Sequence, residues 1–145
     1  MAEPSSERLT ADRDAIRSLL AQYTYNGDRG RLSGLAACFA ADGVLEFPGG
    51  AGTGPEGVTA ALSQGEASPA RTFVRHHTTN PLIEVSGDTA TVRSYFSVVS
   101  DNGPDHAGTY DDRLVRTLEG WRFAHRRVRI DWQAESSVFR KMPTR

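Results

Sequence analysis

The stretch LIEVSGDTATVRSYFSVV, Leu82 to Val99, holds two runs of alternating or β-branched residues around Ser86-Gly87-Asp88. Runs of this composition favour strands, and the short Gly-containing turn joins them as an antiparallel hairpin. Thr89–Val99 puts Ala90, Val92, Phe96 and Val98 on one face, and Tyr95 and Val99 on the other. A strand that is apolar on both faces has to be covered twice. Helices would cover one face, and a partner subunit or the chain ends the other.

Outward from this hairpin, three more strands are predicted: Arg71–Thr79 before it, then Thr109–Leu118 and Trp121–Trp132, with Glu119-Gly120 as the tight turn between the last two. The first half reads differently. Thr10 is a candidate N-cap, with Asp12 and Asp14 in the first turn, where negative charge suits the helix dipole. Ile16, Leu19, Leu20 and Tyr23 then recur at helical spacing until Gly27 and Asp28. A second helix is predicted over about Arg31–Ala40, a short strand over Val44–Phe47, and a third helix opened by Gly54-Pro55-Glu56. Residues 64–70 read as a loop. The fold class is therefore α+β: a curved antiparallel sheet wrapped by N-terminal helices around one pocket, cone-shaped with an open mouth. Residues 9–135 would form the domain, 1–8 a disordered arm and 136–145 a C-terminal tail.

The 145 residues suit one domain with a sizeable core. A net charge of −1 gives no basic surface for nucleic acid, and no apolar run reaches the roughly 18 residues of a membrane span. Met1–Arg8 lacks an apolar signal core, so the expected location is cytoplasmic. A single cysteine, Cys38, cannot form an internal disulfide and reads as a buried structural thiol. The four histidines are not spaced as a metal site, and neither a phosphate loop nor a nucleophile elbow is present; no metal and no cofactor are expected.

Several short pieces recur in a fixed order: Tyr25-x-x-Asp28, Phe39-Ala-Ala-Asp-Gly43, Gly54-Pro-Glu-Gly57, Arg75-His-His-Thr-Thr-Asn80, Val85-Ser-Gly-Asp88, Arg93-Ser-Tyr-Phe96, Gly120-Trp-Arg-Phe123 and His125-Arg-Arg127. In that order the chain resembles the SnoaL-like branch of the NTF2-like superfamily from about Thr10 to Trp132. The superfamily includes dehydratases, a dehydrochlorinase, isomerases and polyketide cyclases, and also non-catalytic binding proteins, so the fold alone does not name a reaction.

The resemblance implies a dyad in which a carboxylate at the end of the first helix orients a histidine on the sheet. Those positions are Asp28 and His76. Imidazole titrates near neutrality and can act as a carbon-proton base, and a carboxylate on its other nitrogen fixes the tautomer. The bland alternative is that Asp28 caps the next helix and His76 is a satisfied core histidine. Neighbours on a strand face opposite ways, and periodicity does not choose between His76 and His77; the resemblance prefers His76. It also implies roles for Tyr23, Tyr25 and Arg126 in stabilising negative charge or assisting a leaving group, although strand arginines often pair with acids such as Asp111 or Asp112. Phe47, Asn80, Phe96 and Trp132 are candidate substrate-binding residues. His106 is expected in a loop: counting back from Tyr110, the second histidine of the dehydratase pattern falls at Ala107, and a one-residue offset flips the face.

The sequence thus points to a cofactor-independent lyase, dehydratase-like, or isomerase acting on a small, largely apolar cyclic substrate. A non-catalytic small-molecule-binding or partner-binding domain is the alternative. An epoxide-opening hydrolase would need an Asp-Arg-Asp site, and no second Asp is evident inside the sheet. The resemblance also implies a homo-oligomer, a dimer or trimer, joined through the convex sheet face.

Overall fold

In the computed structural model, which describes residues 2–63 and 73–144, the hairpin forms as read: β3 (Val74–Ser86) and β4 (Thr89–Ser100) pair antiparallel from Val74↔Ser100 to Ser86↔Thr89. The elements before it are α1 (Ser6–Asp28), α2 (Leu32–Ala36), β1 (Phe39–Phe47), β2 (Gly50–Thr53) and α3 (Gly54–Ser63), and those after it are β5 (Gly103–Thr117) and β6 (Gly120–Gln133). The loop expected over 64–70, and the start of the first predicted strand at 71 and 72, lie outside the described residues.

The strands make one curved, unclosed sheet in the order β2-β1-β6-β5-β4-β3. It is mixed rather than purely antiparallel, because β1 runs parallel to β6, from Phe39↔Phe123 to Glu46↔Arg127. A parallel neighbour needs a long crossover, and here the crossover is most of the chain. β1 is also longer than expected. Phe39 and Ala40 are buried in it rather than at the end of a helix, and α2 stops at Ala36. The Gly-rich run after Phe47 does not end the sheet but turns back as β2, pairing Phe47↔Gly50 to Val44↔Thr53.

β4 alternates strictly. Ala90, Val92, Ser94, Phe96 and Val98 are buried, while Tyr95 on the other face is 60% exposed. α1 lays Ile16, Leu19, Leu20 and Tyr23 into the same core. Each fully buried aliphatic side chain of this kind contributes about 1.5–3 kcal/mol. Gly108 on β5 holds the layers close: a Cβ there would meet the carbonyl oxygen of Arg129 at 1.9 Å and the Phe96 ring at 2.8 Å.

The helix N-cap is Ser5, whose side chain accepts from the Arg8 N–H, so α1 starts inside the arm assigned to residues 1–8, and Thr10 is an ordinary helical residue. Asp12 is buried, not a first-turn surface acid. It accepts from Arg116 Nη1 and Nη2 at 2.7 and 2.9 Å and from Trp121 Nε1 at 3.1 Å, tying α1 to the β5–β6 turn. The Arg116 hydrogen bonds hold its carboxyl below the usual value against the opposing effect of burial. Asp12→Ala orphans the buried indole N–H and half of the Arg116 fork, so we expect a loss of about 2–3 kcal/mol. Chemical denaturation measures it; a loss below about 0.5 kcal/mol is what an exposed pair would give and rejects the clamp.

The tail after β6 folds back. Ser137 Oγ and the Val138 N–H donate to Asp105 at 2.7 and 2.8 Å, and the Met142 N–H donates to Gln133 Oε1 at 2.8 Å. Val138, Phe139 and Met142 pack against the core from this strap. Among the described residues no helix is long and apolar enough to cross a membrane.

Candidate active site

α1 ends at Asp28, and no basic residue occupies its last turn. A carboxylate at the negative end of a helix dipole is locally unfavourable. It is held there by β3. Asp28 Oδ1 lies 2.6 Å from His76 Nδ1, and Oδ2 accepts the His76 backbone N–H at 2.9 Å. A carboxylate can only accept, so Nδ1 carries a proton, and in the neutral imidazole the lone pair is on Nε2. Asp28 is therefore gripped by both the ring and the main chain of one residue, which fixes the imidazole in position and tautomer. The β3 alternation settles the face: Val74, His76 and Thr78 turn inward, while Arg75, His77 and Thr79 turn outward.

His76 is not sealed. Its side chain is 24% exposed and lines a groove of about 570 Å³ between α1 and the edge strand β3, with Leu20, Ala21, Thr24, Tyr25, Thr78 and Pro81 among its walls. That volume falls in the range of small-molecule sites. On the inner side the ring packs on Phe96 at 6.3 Å, and Phe96 stacks on Tyr110 at 4.3 Å.

His106 departs from the expectation. It is buried in β5, not in a loop, and its ring centroid is 6.1 Å from that of His76. The register slips between Val98↔His106 and Val99↔Pro104, and this irregularity buries both Asp105 and His106. The strand is unbroken from His106 to Tyr110, so these residues, four apart, share the inner face, and half-buried Ala107 lies on the other. His106 Nδ1 lies 2.6 Å from Asp105 Oδ1, so a second carboxylate–imidazole pair faces the first. Burial would raise the Asp105 carboxyl, but the His106, Ser137 and Val138 hydrogen bonds outweigh it and keep it low. Burial pushes His106 down, only partly offset by Asp105, so its imidazole is neutral near pH 7.

The sign of the linkage follows. Below the ordinary histidine value of 6.5 the unfolded chain takes up a proton at position 106 that the folded chain does not, so stability falls as the pH drops through this region. Denaturation midpoints between about pH 7 and 5 are expected to fall more steeply for the wild type than for His106→Gln. Equal slopes remove His106 as the source.

Arg126 does not reach the groove. Its side chain is 0% exposed, and Nε and Nη2 each donate to Asp112 at 2.8 Å. It is caged by the rings of Tyr110, Phe123 and Tyr23 at 3.8, 4.3 and 4.4 Å, with Nη1 among the few buried polar atoms lacking a partner. Burial opposes the guanidinium charge, yet Asp112 and the phenols keep it protonated; burial lifts Asp112 in turn, against the pull of Arg126. Asp112 is thus an acid inside the sheet, where none was expected, but both its oxygens are committed to Arg126 and it does not line the groove. Tyr23 shares the Arg126 cage, and burial raises its phenol well above the usual value. Tyr25 is exposed on the groove rim, under the Arg29 guanidinium at 4.7 Å.

Of the expected substrate contacts, only Phe96 touches the dyad. Trp132 pairs with Ala107 on the outer sheet face and is 49% exposed, which corrects its placement in the pocket. Phe47 sits at the far end of β1 beside Gly50. Asn80 is exposed at the β3 irregularity with φ 55°, outside the groove walls.

The chain matches the SnoaL-like domain over residues 8–127. Among solved structures it is similar to a protein of unknown function from Mycobacterium tuberculosis, at 32% identity and TM-score 0.76, covering 90% of this chain and 78% of that one. It is also similar to an NTF2-like protein with a cystatin-like fold from Novosphingobium aromaticivorans, at 27% identity and TM-score 0.77, covering 90% and 88%. A second protein of that organism, carrying the provisional name scytalone dehydratase, shares the fold at 22% identity and TM-score 0.77, covering 97% and 96%. No curated protein matches the chain. With the family match spanning most of its length, and with this mixed sheet and its helices, the chain belongs to the SnoaL-like domain family and has the NTF2-like fold.

Proposed function

We propose that this protein is a cofactor-independent lyase of the dehydratase type, or an isomerase, that removes a carbon-bound proton from a small, largely apolar cyclic substrate. The observation that carries the reading is the two-point grip of Asp28 on His76, which leaves Nε2 as a base beside an open groove. His76 Nε2 takes the proton, and Asp28 stabilises the imidazolium that forms. The C–H electron pair becomes the new double bond. The imidazolium then returns its proton to the departing hydroxyl, which leaves as water, or to another carbon of the same molecule, which gives an isomer. Both outcomes balance without a cofactor. Leu20 and Ala21 supply apolar contact, and Phe96 backs the imidazole from inside. Arg126, Tyr23 and Asp112 form the floor behind Phe96 and Tyr110 rather than touching substrate.

The test is thermal stabilisation of wild type and His76→Ala across hydroxylated steroids, polyketides, terpenoids and chlorinated cycloalkanes, followed by turnover assays on whatever binds. The reading holds if the wild type converts a ligand that His76→Ala binds and leaves unchanged. If both bind it equally and neither consumes it, the pair is structural and the domain is a binding module.

We also propose a homo-oligomer through the outer sheet face, where Leu82, Tyr95 and Trp132 are 64%, 60% and 49% exposed. Exposed aromatic and aliphatic side chains on one sheet face suit a subunit contact. Light scattering is expected to give the mass of two or three chains, and Tyr95→Lys to lower it; a monomeric wild type overturns the proposal.

A further inference from the structure

On the outer sheet face Arg93 and Arg129 are matched with Asp111, and Arg127 with Glu46. The arginines on the groove that holds the dyad are not so matched. Arg17, Arg29 and Arg75 all line it, and among the described residues none of them forms an ion pair. Among the described residues the only carboxylate on the groove wall is Asp28, and both its oxygens are engaged by His76. Asp14, one turn before Arg17, makes no ion pair with it either. The groove wall therefore carries three cations against one acid whose oxygens are already engaged, on a molecule whose net charge is −1.

Position separates the three. Arg29 follows Asp28 at the end of α1, and Arg75, on the outer side of the edge strand beside His76, reaches the groove over that edge. Arg17 is twelve residues before Arg29 on the same helix line, about 18 Å away along the axis, too far to share one small anion. The side chains of Arg29 and Arg75 are held on aromatic rings: Arg29 over Tyr25 at 4.7 Å and Arg75 over Phe73 at 5.7 Å. Arg75 Nη1 donates to its neighbour's carbonyl, Val74 O, at 2.8 Å. Stacking of this kind orders a guanidinium without neutralising it and leaves its edge N–H groups for a planar anion.

We propose that the substrate of this groove carries a carboxylate, received by Arg29 and Arg75, which sets the rest of the molecule against His76. The inference rests on the acid–base reading of the dyad and narrows it: the substrate is a cyclic acid rather than a neutral ring compound. Charge-assisted bonds to a carboxylate are the stronger class, and because Arg29 and Arg75 are exposed, the effect of the two together stays near tenfold in affinity.

The probes are 2-naphthoate and its neutral counterpart 2-naphthamide, equal in ring and nearly equal in shape. Titration calorimetry gives affinities, and the NMR shift of the His76 ring protons reports whether the probe lies at the dyad. The wild type is expected to bind naphthoate about tenfold more tightly than naphthamide and to shift His76 with both. Arg29→Gln/Arg75→Gln is expected to erase the preference while leaving naphthamide affinity as it was. Arg93→Gln, the same loss of charge on the outer face, is expected to keep it. Equal binding of the two probes by the wild type, or a preference that survives the double substitution, overturns the carboxylate site. The failure of the two readings looks different. A preference that depends on Arg29 and Arg75, with no compound ever turned over, keeps the anion site and removes the base. Turnover of neutral compounds that His76→Ala abolishes, with no preference for naphthoate, keeps the base and removes the anion site.

Discussion

Asp28→Asn is expected to lower kcat/KM by about three to four orders of magnitude, while the protein remains folded. The amide can still accept the His76 backbone N–H through its oxygen, so the local geometry is largely kept. What it cannot do is accept from Nδ1 with full charge. If the amide nitrogen turns to the ring it donates, and the imidazole is forced into the tautomer whose Nε2 carries hydrogen and cannot act as a base. The imidazolium also loses its counter-charge. His76→Ala should fall to the same floor. The double variant should fall no further, because groups that act as a unit are not additive. Turnover of the compound found by the ligand panel measures all three, with thermal melts as the control for folding. An Asp28→Asn protein that keeps a tenth of its activity rules out the dyad, whatever its structure.

The largest effect on stability is expected at Arg126. Arg126→Met removes one member of an ion pair whose side chains are both fully enclosed, and leaves Asp112 charged among Tyr23, Tyr110 and Phe123. Losses of about 3–5 kcal/mol follow from breaking such pairs. In a chain of this size that is a drop in Tm on the order of 10 °C. Burial already lifts Asp112 toward the protonated form, so the defect should shrink at acid pH, where the lone carboxyl takes a proton. The double variant Arg126→Met/Asp112→Leu should recover most of the loss, since an apolar replacement of the whole pair removes the stranded charge. Denaturation of the three proteins tests this. A single Arg126→Met variant within about 1 kcal/mol of wild type shows that the pair is not the keystone of the sheet interior.

Local signals in the sequence carried the hairpins, the amphipathic stripe of α1 and the order of helices and strands, because period and turn chemistry act over a few residues. Asp28 and His76 were legible only through the resemblance, since nothing in a single strand tells whether position 76 or 77 faces inward; the pairing with β4 decides it. His106 was missed because Asp101-Asn-Gly-Pro-Asp105 reads as a turn, whereas β5 already starts at Gly103 and His106, four residues before Tyr110, shares its inner face. Arg126 was readable as a charged strand residue, but its enclosure arises from Asp112 across the ladder and from rings contributed by α1, β5 and β6. The parallel place of β1 was hidden for the same reason: Val44–Phe47 shows a strand but not its neighbour.

That neighbour also orders events in time. Phe39 waits for Phe123 and Glu46 for Arg127, so each pairing closes a loop of more than eighty residues. Loop closure on this scale costs entropy before it returns any contact. A chain leaving the ribosome can zip β3 to β4 as soon as both have emerged, but the β1–β2 ribbon has no place in the sheet until the final strand arrives. The Asp12–Trp121 bond and the pairing of α1 with the β5–β6 turn wait on the same strand. The β1–β2 ribbon and the clamp between Asp12 and the β5–β6 turn therefore become native last.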